Sequence, residues 1–378
     1  MDLTARVGSI DLRTPLILAS GQITETPSFF LEARRYGCSA MVTRSLREMI
    51  PEGRERTPSP RYHVFDGSSM MNCEWVDENS WTKWADGWAQ TALDTGDPLI
   101  ISVSARDIEG CNNIIATFAE SGLASAFEVN VSCAHSGALH GNLNTNIDHL
   151  VDVVRRIRPS TPLPFWIKLS YSPIICEMAR AAEEEGADAI VCTNTIGPGL
   201  AIDTETTKFK LGIQGGAGGV SGPAIFPIAL WCVYQVSQAV KIPVVGSGGI
   251  NDTDKAIQML MAGASALQLY TAPALAGPTV FAEIRNGIAD FVRDHRQFET
   301  TRDIVGASLK WANNETRFEQ SIPVLDEQLC TNCGKCSNAC VFGGIVRGSG
   351  ISIGIGPSCI GCNACVGVCP TGAITARY

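Results

Sequence analysis

The sequence has no excess of positive charge, no membrane-length apolar run and no export leader. Lys and Arg number 29 against 38 Asp and Glu, a net charge of −9. That balance argues against a nucleic-acid or anionic-membrane partner. The longest apolar runs fall well short of the roughly 20 residues of a membrane span. The N-terminal stretch MDLTARVGSIDLRTPLILAS carries neither a basic leader nor a signal-type apolar block, so a cytoplasmic protein is expected. Without export, the N-x-S/T sequons at Asn130, Asn251 and Asn314 have no meaning as glycosylation sites. No G-x-G-x-x-G follows an early strand, so a nicotinamide-binding Rossmann domain is not supported. Charged residues make up 18% and hydrophobic residues 45% of the 378. A chain of this length can hold one large domain and a small one.

Cysteine is abundant, and unevenly so. Eight of the fifteen cysteines lie in the last 49 residues. In a reducing compartment, cysteines in C-x2-C patterns point to metal rather than disulfides. The runs are Cys330-x2-Cys333-x2-Cys336-x3-Cys340 and Cys359-x2-Cys362-x2-Cys365-x3-Cys369-Pro370. This is the spacing of bacterial two-cluster ferredoxins, in which the fourth cysteine of each run crosses to the other cluster. One [4Fe-4S] cluster is therefore expected on Cys330, Cys333, Cys336 and Cys369, and a second on Cys359, Cys362, Cys365 and Cys340. A pair of zinc sites is the alternative, although zinc usually takes two separated C-x2-C pairs. Small residues between the ligands leave room for backbone N–H groups, and VFGGIVRGSGISIGIGPS between the runs reads as a hairpin.

Two adjacent clusters form a wire for single electrons, and a wire needs a source and a sink. Upstream, short β-type runs alternate with helical stretches. The strand candidates are 15–20, 39–45, 99–105, 127–133, 165–170, 189–195, 242–248 and 266–272. Eight strands with crossover helices predict an α/β fold, a (β/α)8 TIM barrel over 1–318, followed by a small α+β ferredoxin-like domain over 319–378. A doubly wound sheet is the alternative. In a barrel, function sits at the C-terminal ends of the strands. Lys168 lies in the apolar strand FWIKLS, where a buried lysine needs an anionic or electron-rich partner, whether a structural ion pair or a ligand. Gly246-Ser247-Gly248-Gly249 after the seventh strand has the composition of a phosphate cradle. Cradle, lysine and wire fit together if the cofactor is FMN, which couples two-electron organic chemistry to one-electron carriers.

The motifs SSMMNCE (68–74), EVNVSCAH (128–135), WIKLS, CTNTI (192–196), GGVSGPAIFPIAL (218–230) and GSGGI (246–250) resemble the dihydroorotate dehydrogenase superfamily. Within it they are most similar to the FMN and iron–sulfur portion of dihydropyrimidine dehydrogenases, over nearly the whole chain. The resemblance implies Cys133 as the catalytic acid/base on a loop over the substrate. It implies a pyrimidine frame of Asn72, Glu74, Asn130, Ser132, His135, Asn194 and Thr195. It implies FMN contacts from Ala19, Ser20, Arg44, Ser45, Lys168, Ser221, Gly222, Ser247, Gly248, Gly249, Tyr270 and Thr271. Asparagine amides both donate and accept, so they can read the alternating edge of a lactam or imide. Glu74 and His135 are unlike dihydroorotate dehydrogenases and favour the dihydropyrimidine branch. Arg44, Ala134 and Phe226 depart from that branch, where lysine, proline and arginine stand.

The expected activity is reduction, or the reverse oxidation, of the C=C bond of a uracil- or thymine-like ring. Dihydroorotate oxidation, reduction of another unsaturated lactam or heterocycle, and an electron-transfer subunit without catalysis are the alternatives. A tRNA-dihydrouridine synthase is disfavoured by the acidic charge and the ferredoxin tail. An electron-carrying protein partner, either a ferredoxin or an NAD(P)H/FAD flavoprotein subunit, is expected, in a homo- or hetero-oligomer.

Overall fold

The computed structural model describes residues 2–48, 58–74, 81–105, 108–131, 145–312, 320–347 and 353–376. The chain divides into two compact units, Met1–Ala312 and Asn313–Tyr378.

Eight parallel strands close the first unit into a barrel: β1 Leu16–Leu18, β2 Ala40–Val42, β3 Leu99–Ser104, β4 Ala126–Asn130, β5 Phe165–Leu169, β6 Ala189–Cys192, β7 Val244–Ser247 and β8 Ala264–Leu269. Each falls within or next to one of the eight apolar runs expected from sequence. The strands are apolar almost throughout because both faces are covered, as in any parallel sheet wrapped by helices. Alternate residues point inward. Ile17, Val42, Ile100, Ala126, Trp166, Val191, Val245 and Ala266 pack together inside the barrel. The antiparallel hairpin Ala5–Val7 and Ile10–Leu12 joins the same cluster through Ala5, Val7 and Leu12. Trp166 is the one large ring there, among several alanines. Burying a tryptophan's 150–250 Å² contributes roughly 4–6 kcal/mol of gross transfer free energy.

The outward residues of the same strands, among them Leu18, Met41, Ile101, Phe127, Ile167, Ile190 and Leu267, pack with the surrounding helices in the larger core. The helices Ile147–Ile157, Ile175–Glu184 and Thr253–Met261 lie in the expected stretches. Asn146 and Asp252 cap the first and the last of these with side-chain hydrogen bonds to backbone N–H groups, which satisfies donors that a helix start leaves free. Within 298–326 the described part holds the short helices Thr301–Ile304 and Leu309–Trp311, with Gly306 at φ +72° between them.

Two crossovers carry extra strands that the sequence reading did not separate. Tyr62–Phe65 and Ser69–Asn72 leave the β2 connection, and Ile196–Leu200 and Ala217–Ser221 leave the β6 connection. They join into one antiparallel sheet, in which Asn72 pairs with Gly219 and with Tyr62. Both insertions begin at C-terminal strand ends, so this sheet rises over the face where barrel chemistry is placed.

The second unit is small. Val324–Leu325 pairs with Ile374–Thr375, and Ile345–Arg347 pairs with Ile353–Ile355, the expected hairpin. Helices Lys335–Ala339 and Ala364–Gly367 flank a core of Cys336, Ile353, Cys365 and Ile374. Among the described residues, no helix is long and apolar enough to cross a membrane.

Candidate active site

The inward side chains change character along the barrel. Below they are apolar. Toward the C-terminal ends they become Ser102, Glu128, Lys168 and Gln268, all buried. Above this layer lies an open cavity. Twelve of the expected residues line it. Ala19 and Ser20 follow β1, Lys168 is on β5, and Asn194 and Thr195 follow β6. Ser221 and Gly222 end the cap sheet, Ser247, Gly248 and Gly249 end and follow β7, and Tyr270 and Thr271 follow β8.

The glycine cradle is sterically required. Gly249 takes φ +79°, and a Cβ there would stand 2.7 Å from the Phe226 Cβ and 2.9 Å from the Gly222 carbonyl oxygen. Such contacts are far inside van der Waals range, so only glycine fits. Thr193 Oγ1 and Asn251 Oδ1, which sequence reasoning missed, are buried in the same lining with no hydrogen-bond partner. Unpartnered buried polar atoms are costly and call for a ligand or a role.

Of the other expected residues that are described, Asn130 and Glu74 touch the lining directly, and Ser45, Asn72 and Arg44 reach it through one intermediary. Asn194 Nδ2 donates to Asn130 Oδ1 at 3.1 Å, Asn130 Nδ2 donates to Ser45 Oγ at 3.4 Å, and Ser45 is 2.9 Å from Ser102 Oγ. Asn72 Nδ2 donates to the Gly219 carbonyl at 3.5 Å, and Gly219 sits against Thr195. Arg44 and Ser45 do not line the cavity. Arg44 is buried and lies 3.3 Å from Glu25 and 3.4 Å from Glu74.

Glu74 is held from several sides. Tyr270 donates to Glu74 Oε1 at 3.2 Å, and the Tyr62 hydroxyl lies within hydrogen-bonding reach of the same oxygen and of Gln22 Oε1, one of which takes its single proton. Burial first, and the Glu74 carboxylate second, push both phenols above the ordinary tyrosine range. Both therefore stay protonated donors. Tyr62 and Gln22 carried no usable signal in the sequence, since their partners lie on other elements.

Ser132, Cys133 and His135 lie outside the described residues.

In the second unit, each expected cysteine set lines its own pocket. Cys330, Cys333, Cys336 and Cys369 surround one. Cys340, Cys359, Cys362 and Cys365 surround another. The loops repeat each other: Asn332 and Gly334 flank Cys333 in left-handed backbone, as Gly361 and Asn363 flank Cys362. Asn and Gly are the residues that visit this region at low cost. Backbone N–H groups, chiefly that of Phe342, hold the Cys340 thiol below its ordinary range. The Gly344 N–H, for example, donates to Cys340 Sγ at 3.2 Å. That favours the thiolate, the ligand form. Among the described residues, no three His, Cys, Asp or Glu stand close enough to hold a single metal ion.

Comparison with known proteins adds a family. A model described as dihydroorotate dehydrogenase matches residues 2–292, and one described as a 4Fe-4S dicluster domain matches 329–374. The catalytic subunit of dihydroorotate dehydrogenase B (NAD(+)) from Pyrococcus abyssi is 31% identical over 309 residues, 82% of this chain and 99% of that protein. Its namesake from Pyrococcus horikoshii is 33% identical over 311 residues, 82% of this chain and 98% of the relative. That from Thermococcus kodakarensis is 32% identical over 311 residues, with the same two shares.

Proposed function

The chain belongs to the dihydroorotate dehydrogenase family, oxidoreductases acting on CH–CH bonds, and carries a C-terminal ferredoxin domain; within that family we propose that it acts on the C=C bond of a neutral, uracil- or thymine-like pyrimidine. In this reading 1–318 is the FMN-binding barrel and 319–378 holds two [4Fe-4S] clusters.

The residues present fit FMN. The glycines beside Phe226 leave space for a phosphate, Thr193 and Asn251 offer unpartnered oxygens, and Lys168 offers a cation at the cavity floor. Bound FMN supplies hydride exchange with an organic substrate and single-electron exchange with clusters. Ser221, Gly222, Ser247, Gly248, Gly249 and Thr271 would hold the phosphate end, and Ala19, Ser20, Lys168 and Tyr270 the ring end, with Ser45 behind them on Asn130. Asn72, Asn130, Asn194 and Thr195 would read the edge of the substrate, with Ser132 and His135 beside them. Cys133 would hold or release the proton at the adjacent ring carbon. Gly249→Ala is expected to purify with less than about a tenth of wild-type FMN, because the new methyl must displace Phe226 or the cradle. The FMN-to-protein ratio checks this, with circular dichroism to confirm folding.

The observation that carries the choice of substrate is the Glu25–Arg44–Glu74 group. Glu74, held by Tyr270 of the cavity lining, places a carboxylate beside the frame, which opposes a substrate carboxylate. A neutral ring lacks one, and its N–H can donate to Glu74. The second reading is dihydroorotate oxidation, favoured by the names of the relatives. An electron-carrying partner, a ferredoxin or an NAD(P)H/FAD flavoprotein subunit, completes either reading in a homo- or hetero-oligomer. Anaerobic mixing of oxidised protein with dihydrouracil, dihydrothymine and dihydroorotate separates them. Faster flavin bleaching by either neutral substrate is expected, by at least about tenfold, the factor for 1.4 kcal/mol. Bleaching by dihydroorotate alone would instead establish the second reading.

A further inference from the structure

Three buried side chains from β4, β5 and β8 form a closed triangle beneath the cavity. Lys168 Nζ donates to Glu128 Oε1 at 3.1 Å and to Gln268 Oε1 at 3.0 Å. Gln268 Nε2 donates to Glu128 Oε2 at 2.6 Å. Lys168 and Gln268 reach the cavity wall, whereas Glu128 is 0% exposed and does not. In so dry a setting a lone ammonium or carboxylate is strongly disfavoured, and each is tolerated because the other is present. The amide of Gln268 orients the pair, since its oxygen faces the cation and its nitrogen the anion.

We propose that Glu128 is a positioning residue that fixes Lys168 at the cavity floor and sets how much positive charge a bound flavin feels. This rests on the FMN reading above. Glu128 does not line the cavity and acts on it through Lys168, with Gln268 as its second contact. With the carboxylate present, the ammonium has an anionic partner within the barrel and its field at the cavity is partly cancelled. Without it, the ammonium leans on the bound cofactor as its anionic partner, which favours the form that carries more negative charge, the reduced one.

The test is the midpoint potential of bound FMN in the purified holoprotein, measured by anaerobic dye-equilibrated titration. E128Q keeps the shape and removes the charge. It is expected to move the reduction equilibrium toward reduced FMN by at least about tenfold, equivalent to about 30 mV for a two-electron couple. K168Q should move it the opposite way. In a K168Q background the further E128Q change should have a clearly smaller effect, because the ammonium through which Glu128 acts is gone. If E128Q fails to accumulate, Glu128→Asp withdraws the carboxylate by one methylene and should shift the potential in the same direction by less. A shift under twofold in E128Q with full FMN content would overturn the proposal, as would equal E128Q effects with and without Lys168. A wild-type protein that binds no FMN, seen in its cofactor ratio before any variant is compared, would sink the flavin reading itself and this inference with it.

Discussion

Replacing Cys133 with alanine should slow reduction of bound FMN by its substrate by about 10²–10⁴-fold, the usual contribution of a positioned acid or base. FMN and iron contents should be unchanged. Cys133 lies outside the described residues, yet its tether does not. Asn130 ends β4 at the barrel's C-terminal face and is bonded into the Asn194–Ser45 network. Cys133 follows Asn130 by three residues in the sequence. A dihydropyrimidine gives up a proton at one ring carbon and a hydride at the next. Without an acceptor for the first, the second is retained. Rapid anaerobic mixing follows the bleaching, and dithionite supplies the control, since a chemical reductant needs no proton acceptor at the substrate and should reduce both proteins alike. A Cys133→Ala protein within about threefold of wild type in the substrate reaction would assign the acid/base role elsewhere, because a group that moves the proton contributes far more than that.

The barrel was legible because its strands are short apolar runs, set off by turn residues and separated by amphipathic helices. Those signals are local, and all eight strands carry them. The cap sheet was not legible. Ile196–Leu200 reads IGPGL, which by composition is a turn, and it becomes a strand only by pairing with Ala217–Ser221. Ser69–Asn72 finds its second partner, Gly219, 147 residues away along the chain. The site divides on the same line. Glycines and asparagines at strand ends announce themselves through residue type and position. Glu128 in FEVNVS looked like one more strand residue, because its meaning depends on a lysine 40 residues later and, for the bridging amide, on Gln268 at a separation of 140. Only closure of the barrel brings the three together. Tyr62 and Gln22 were hidden for the same reason, as they meet at Glu74 from different excursions.

The cysteine runs present the opposite case, where the two-cluster ferredoxin spacing already predicts a grouping that crosses the runs. Cys340 stands next to Cys330, Cys333 and Cys336 in the chain, yet is expected with the other set. The fold sets it around a pocket with Cys359, Cys362 and Cys365, and sets Cys369 around the other. The prediction that follows is a pattern of additivity. Cys340→Ala and Cys362→Ala should each lower iron from about eight to about four per chain, and the double variant should remain near four, because both remove ligands of one cluster. Cys333→Ala combined with Cys340→Ala should lose nearly all the iron, although both residues lie in the same run. Iron and sulfide assays on anaerobically purified protein, with electron paramagnetic resonance of the reduced state, distinguish the outcomes. Reduction of FMN by substrate should survive in the single variants, since the barrel binds and positions the reactants by itself. Turnover with a one-electron protein acceptor should not, because a wire with one cluster removed no longer reaches from its source to its sink. Should Cys333 and Cys340 behave as ligands of one cluster, the crossed grouping would be wrong and the two pockets would have to exchange a cysteine. The short helices after Cys333 and Cys362 leave little room for that, because each is fixed at its start by a left-handed residue, Gly334 or Asn363, and carries its third cysteine into the shared core.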